Sequence, residues 1–124
     1  MAKSQNDIIL DQALSYVMNN ATQLAVCSAQ PANYTEATST YKLALKTGLT
    51  SGSFTGPADA TPNGRKITVN QQAGVTVDAT NTATHVALCS GSVLLLVTTC
   101  TSQLLTMGNT VTIPAYTFVL PDVI

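Results

Sequence analysis

The sequence predicts a mainly β protein, an antiparallel β-sandwich or jelly-roll-like barrel with one N-terminal α-helix. From residue 65 to residue 120 the chain is an almost unbroken series of strand-sized apolar segments rich in β-branched residues. Gly, Asn and Ser separate these segments as turn residues do. The 124 residues fit a single β domain, 1–124, with the helix at about 6–20 and the strands within about 23–120.

The helix is predicted because Ser4 and Asp7 have the spacing of a capping box, with Asp in place of the usual Glu. Apolar residues then recur at helical spacing: Leu10, Leu14, Val17 and Ala21. So short a helix is not stable alone, and we expect its apolar stripe to pack on the sheet or on a neighbouring subunit. We interpret Asp7 and Asp11 as outward-facing residues that favour the helix dipole.

The first strands are predicted at 23–28 and 41–49. Strict alternation in the second of these places Lys42 and Lys46 on the solvent face, where they also protect an edge strand from mispairing. Residues 50–64 are crowded with Gly and Pro, which predicts a long surface loop with a short strand at 53–55.

Six further strands are predicted in the second half of the chain. Their bounds are 66–71, 74–79, 83–89, 93–99, 110–113 and 116–120. Ser90-Gly91-Ser92 predicts a tight hairpin, and residues 103–109 are interpreted as a connection that ends in a Gly108-Asn109 turn. Pro114 is expected at a bend or a sheet edge.

The chain carries little charge, which limits the classes of function. Charged residues make up 9% of the chain and the net charge is −1, so we expect no nucleic-acid partner and no polybasic membrane anchor. The cations are Lys3, Lys42, Lys46, Arg65 and Lys66. No apolar stretch has the length of a membrane span and no signal peptide is visible, so we expect a cytosol-like compartment. A surface poor in charge loses little solvation when covered, which favours a packed partner or an oligomer.

No catalytic constellation is visible, and we predict that the protein is not an enzyme and needs no cofactor. His85 is the single histidine and is interpreted as a structural strand residue. A zinc site at Cys89 and Cys100 would need further ligands, with His85 the candidate, so we predict no metal and interpret the cysteines as buried thiols.

Two further features leave an alternative open. Residues 63–66, Asn-Gly-Arg-Lys, are interpreted as a turn entering a strand. The alternative is that these residues bind an acidic group. Tyr34, Tyr41, Tyr116 and Phe118 are interpreted as packing residues rather than as a sugar-stacking platform.

Five segments of the chain resemble a family of small structural proteins of tailed bacteriophages. They are residues 14–31, 34–41, 64–66, 83–88 and 97–103. The segments lie at similar relative positions and are spread over residues 14–103, and no catalytic residues come with the resemblance.

The resemblance implies a virion protein that is assembled in the host bacterial cytoplasm. Small β-rich proteins of this kind often serve as capsid decoration, or cement, proteins that bind and stabilise the head shell. The partners implied are the major capsid protein, other virion proteins and further copies of the chain. The alternative is a tail or fibre module that binds host surface glycan.

We expect the contacts of assembly to fall on the two terminal segments. The arm at residues 1–6 precedes a helix with limited packing area, and the tail at 121–124 ends in apolar residues after a proline. The candidate interface residues are Met1, Lys3, Asn6, Pro121, Val123 and Ile124. The alternative for the tail is that Val123 and Ile124 pack against the protein's own sheet.

Overall fold

A computed structural model describes residues 7–60 and 64–120. These residues form one α-helix and nine β-strands, with a π-helical turn at Glu36–Thr40 and a 3-10 turn at Ser51–Ser53. The elements are α1 Asp7–Asn20, β1 Gln23–Cys27, β2 Lys42–Thr47, β3 Phe54–Asp59, β4 Arg65–Val69, β5 Gln72–Thr76, β6 Asn81–Cys89, β7 Leu94–Leu105, β8 Thr110–Ile113 and β9 Tyr116–Leu120. Within the described ranges no helix is long and apolar enough to cross a membrane.

The strands pair antiparallel throughout the described chain. One sheet has the order β2-β1-β6-β7, a second has the order β3-β4-β9, and β5 pairs with β8. A single bridge between Ala44 and Val77 connects β2 to the end of β5. The sheets enclose a shared core whose largest fully buried members are Leu14, Leu24, Ile67, Val69, Val77 and Leu88. The predicted mainly β, sandwich-like fold with an N-terminal helix is confirmed.

Helix α1 closes this core. Leu14, Val17 and Ala21 are buried, and the helix packs on β3, β4 and the 3-10 turn. Of the two surfaces considered for the apolar stripe, the protein's own sheet or a neighbouring subunit, the stripe packs on the sheet. Burial of this stripe stabilises a helix that is too short to persist alone.

A second, smaller core covers the other face of the β2-β1-β6-β7 sheet. Its buried members are Ala25, Cys27, Ala37, Ala87 and Cys89. Ala37 comes from the π-helical turn, so the polar-looking segment between β1 and β2 packs over the sheet. The four-stranded sheet consequently buries both faces where β1 and β6 pair.

The prediction that buried and exposed residues alternate strictly along β2 is wrong. The register between β1 and β2 shifts between Val26 and Cys27, and the adjacent residues Leu43 and Ala44 are both buried. Such a bulge places two neighbouring residues opposite one residue of the partner strand. β2 is the last strand in the order of its own sheet, as predicted, but the bridge between Ala44 and Val77 joins its outer side to the end of β5. Lys42 forms an ion pair of 3.2 Å with Asp78.

The predicted loop at 50–64 is in part wrong, because β3 runs from Phe54 to Asp59 rather than over three residues. Gly56 has φ of 117°, and a Cβ there would lie 2.9 Å from the carbonyl oxygen of Lys66. Glycine at this position therefore lets β3 approach β4 despite the irregular register near Pro57.

Strand β7 is longer than predicted. It continues to Leu105, so the interpretation of residues 103–105 as a connection is wrong, whereas the turn around Gly108 is confirmed. The hairpin at residues 90–92 is also confirmed, since it joins β6 to β7. The strand predicted at 74–79 begins and ends earlier, as β5.

Candidate interaction site

A cleft separates β7 from β8, although only residues 106–109 join these strands. β7 pairs with β6 along one edge, and β8 pairs with β5 along one edge. Among the described residues, no strand pairs with the second edge of β7 or with the second edge of β8. The bridge at Ala44 continues the order as β8-β5-β2-β1-β6-β7. The unpaired edges of β7 and β8 therefore lie at the two ends of one layer, and both strands line the cleft.

Three adjoining cavities of about 150, 340 and 290 Å³ form this cleft. We name it the β7–β8 cleft. One wall lies within residues 98–106 and the other within residues 109–117, and the apolar floor is Val26, Val77, Ala83 and Val86. Every described residue that lines it is uncharged. The cleft is thus suited to an uncharged, partly apolar ligand rather than to an ionic one.

The shape of one wall comes from a bulge in β7. Ala83 pairs with Gln103 but His85 pairs with Thr99, so two extra residues of β7 lie between these pairs. A bulge bends its strand and re-aims side chains, and it often lies beside a functional site. The half-buried Cys100 lies in this bulge and lines two of the three cavities.

The outer face of α1 is a second candidate surface. Ile8, Ile9 and Tyr16 are 64%, 63% and 61% exposed, and they lie opposite the buried Leu14 and Val17. A helix that is apolar on both faces normally covers both. The prediction from sequence considered only the buried stripe of α1. It missed that Ile8, Ile9 and Tyr16 form a second apolar stripe at helical spacing.

Arg65 on β4 connects α1 to the sheet. Its Nε and Nη2 donate to the two carboxylate oxygens of Asp11 at 2.7 and 3.2 Å, and its Nη1 donates to Asp59 at 2.6 Å. The hydrogen bonds to Asp11, and to a smaller extent the hydrogen bond to Asp59, raise the pKa of the guanidinium above its ordinary value. The interpretation of Asp11 as an outward-facing residue is therefore wrong. Gly64 leads into β4, which begins at Arg65, in agreement with the interpretation of this segment as a turn entering a strand, and the carboxylates that Arg65 binds belong to the protein itself.

The predicted interface residues lie outside the described ranges. They are Met1, Lys3, Asn6, Pro121, Val123 and Ile124. The structure does place the residues from which both terminal segments leave. Leu120, the last described residue, pairs with Arg65, and Arg65 holds Asp11, one helical turn after Asp7. The start of α1 and the end of β9 therefore both lie near the pair formed by Asp11 and Arg65.

His85 and the cysteines form no reactive site in the described chain. Nδ1 of His85 lies 2.8 Å from the hydroxyl of Thr84, and no group of three potential metal ligands occurs among the described residues. Cys27, Cys89 and Cys100 are free thiols. The interpretation as buried thiols is confirmed for Cys27 and Cys89 and is wrong for Cys100, which is half-buried. Burial raises the pKa of Cys27 to about 12 and that of Cys89 to about 11, so both are neutral thiols at physiological pH.

The four aromatic residues considered for a sugar platform are divided between the two cores. Tyr34 and Tyr41 pack against the smaller core, and Tyr116 and Phe118 pack against the main one. Burial raises the pKa of Tyr116, as expected of a packing residue. The structure therefore supports the packing interpretation for this set.

Comparison of the chain with protein-family models, with curated proteins and with solved structures found no match. The features of the molecule that bear on its function are therefore the β7–β8 cleft, the outer face of α1 and the distribution of charge.

Proposed function

We propose that the protein is a structural virion protein of a tailed bacteriophage, a capsid decoration protein that binds and stabilises the head shell. The observation that carries the proposal is the exposed apolar face of α1, formed by Ile8, Ile9 and Tyr16. The resemblance of the sequence to small phage structural proteins supports the same function.

The outer face of α1 supplies the energy for binding in this proposal. Burying an isoleucine side chain contributes roughly 1.5–3 kcal/mol, so Ile8 and Ile9 form an effective contact on a complementary apolar surface. Such a contact is modest in one copy, but many copies on one shell act together and strengthen the particle. The low charge of the chain keeps the desolvation penalty of this contact small.

The two terminal segments are proposed to contact the shell as well. The arm at residues 1–6 and the tail at 121–124 begin close to Asp11 and Arg65, which hold α1 on the sheet through two hydrogen bonds.

The partners in this proposal are the major capsid protein, other virion proteins and further copies of the chain. The protein is assembled with the particle in the host cytoplasm and resides in the virion. Nucleic acid, membranes, cofactors and catalysis have no part in it. The glycan-binding tail or fibre module is the alternative, and the division of Tyr34, Tyr41, Tyr116 and Phe118 between two cores gives it no platform from those residues.

The direct test is binding of the purified protein to capsids that lack it, measured by cosedimentation. The variants are deletions of residues 1–6 and of residues 121–124, each with its thermal unfolding measured alone. We expect both deletions to weaken binding while the melting temperature stays near that of the full chain. If the tail deletion lowers the melting temperature and leaves binding unchanged, the tail belongs to the core and its assignment to the interface is wrong.

A further inference from the structure

We infer that the β7–β8 cleft receives an extended segment of the shell protein, which pairs as an added strand with the unpaired edges of β7 and β8. The inference rests on the proposed function, and it names the segment type and the site that receives it. Strand addition to an open sheet edge is a general mode of peptide recognition, in which main-chain hydrogen bonds supply affinity.

The open edges are the first reason. The edge strands of the three-stranded sheet carry features that discourage pairing: β3 contains Pro57, and the five-residue β9 lies between Pro114 and Pro121. β7 is twelve residues long and contains neither charge nor proline. An edge of that length and composition is a template for another strand.

The lining of the cleft is the second reason, because it specifies the chemistry of the donor. The floor is apolar, and the cavities continue from Thr98 to Thr106 along β7. Alternate side chains of an added strand point toward opposite faces. The donor is therefore an uncharged segment with small apolar side chains at alternate positions, which reach Val86 and Ile113.

The third reason concerns the source of the donor. The segments of this chain that are rich in β-branched residues already lie in β1 to β9. Residues 1–6 contain no β-branched residue, and residues 121–124 start with proline and contain two. A different protein is therefore the better donor, and in the proposed function that protein forms the shell.

Cys100 is a natural probe of this site. It lines two of the cavities and is half-buried, whereas Cys27 and Cys89 are buried. We propose to measure its alkylation by N-ethylmaleimide with and without capsids that lack the protein. The expected result is that capsid binding slows the alkylation about tenfold or more, since a paired strand covers the cleft. The matched control is Val93→Cys in a Cys100→Ser background, at the exposed hairpin, where no slowing is expected.

A pair of threonine variants tests the cleft independently. Thr112→Arg places a long cation in the cleft wall, and Thr47→Arg places one at the exposed end of β2. We expect Thr112→Arg to abolish capsid binding and Thr47→Arg to retain it, with both variants folded by circular dichroism. Normal binding by Thr112→Arg together with unprotected Cys100 would overturn the inference and leave shell decoration intact.

Two other outcomes are also decisive. If the unmodified protein does not bind capsids, the proposed function fails, and this inference fails with it. If Cys100 becomes protected at high protein concentration without capsids, a second copy supplies the strand and the inference is wrong about the donor.

Discussion

The carboxylate of Asp11 on α1 accepts two hydrogen bonds, of 2.7 and 3.2 Å, from the guanidinium of Arg65 on β4. The two residues are 54 positions apart in the chain. Two-point pairing of this kind fixes orientation as well as distance. It therefore determines how α1 sits on the sheet and where the surface we propose for shell binding is presented.

The first prediction compares the two carboxylates that Arg65 holds. Asp11→Asn is expected to lower the melting temperature by a few degrees, because Asp11 makes two contacts in a partly shielded position. Asp59→Asn is expected to have a smaller effect, because Asp59 is 86% exposed and makes one contact. Thermal unfolding by circular dichroism measures both. Equal effects would show that the contact between α1 and β4 does not depend on this pair.

The second prediction concerns pH and the buried thiol of Cys27. Its pKa rises from 9.0 to about 12 on folding, so the unfolded chain loses the proton at lower pH than the folded one. The contribution to stability is complete below pH 9 and declines as the pH rises from about 9 to 12. Urea unfolding at several pH values measures this decline. Cys27→Ala is expected to show a shallower decline over the same window, and an unchanged slope would contradict the account of the thiol.

The third prediction tests the outer face of α1. Ile9→Asp and Tyr16→Asp are expected to weaken capsid binding while changing the free energy of unfolding by no more than about 0.5 kcal/mol, as is usual for exposed positions. Val93→Asp, at an exposed apolar position of the hairpin, is the matched control and is expected to bind normally. Loss of stability in the α1 variants would show that this face serves folding rather than binding.

Local patterns in the sequence predicted much of the fold. The bounds of β8 and β9 agree with prediction, and the helix begins within a residue of the expected position. These elements follow from short-range apolar spacing and from the turn residues around Gly108 and Pro114. A pattern of this kind depends on neighbours in the chain, so it is visible without knowledge of the partner strands.

The parts of the fold that the sequence did not predict depend on pairing between residues that are distant in the chain. The end of β7, residues 103–105, was predicted to be a connection, yet it pairs with the start of β6. The bulge in β2 is a property of two strands, and the pairing of Arg65 with Asp11 joins separate elements. The β7–β8 cleft likewise exists because two strands that are consecutive in the chain pair with other partners. Single-sequence periodicity carries no information on these choices.

The most direct test of shell decoration is the number of copies of the protein in purified particles, measured by quantitative gel analysis against the major capsid protein. A protein that strengthens a shell through many modest contacts must be present in hundreds of copies, in a fixed ratio to the capsid subunit. We expect that ratio, and we expect the protein to remain with tailless heads. A few copies per particle that separate with the tails would contradict the account and favour the tail or fibre alternative.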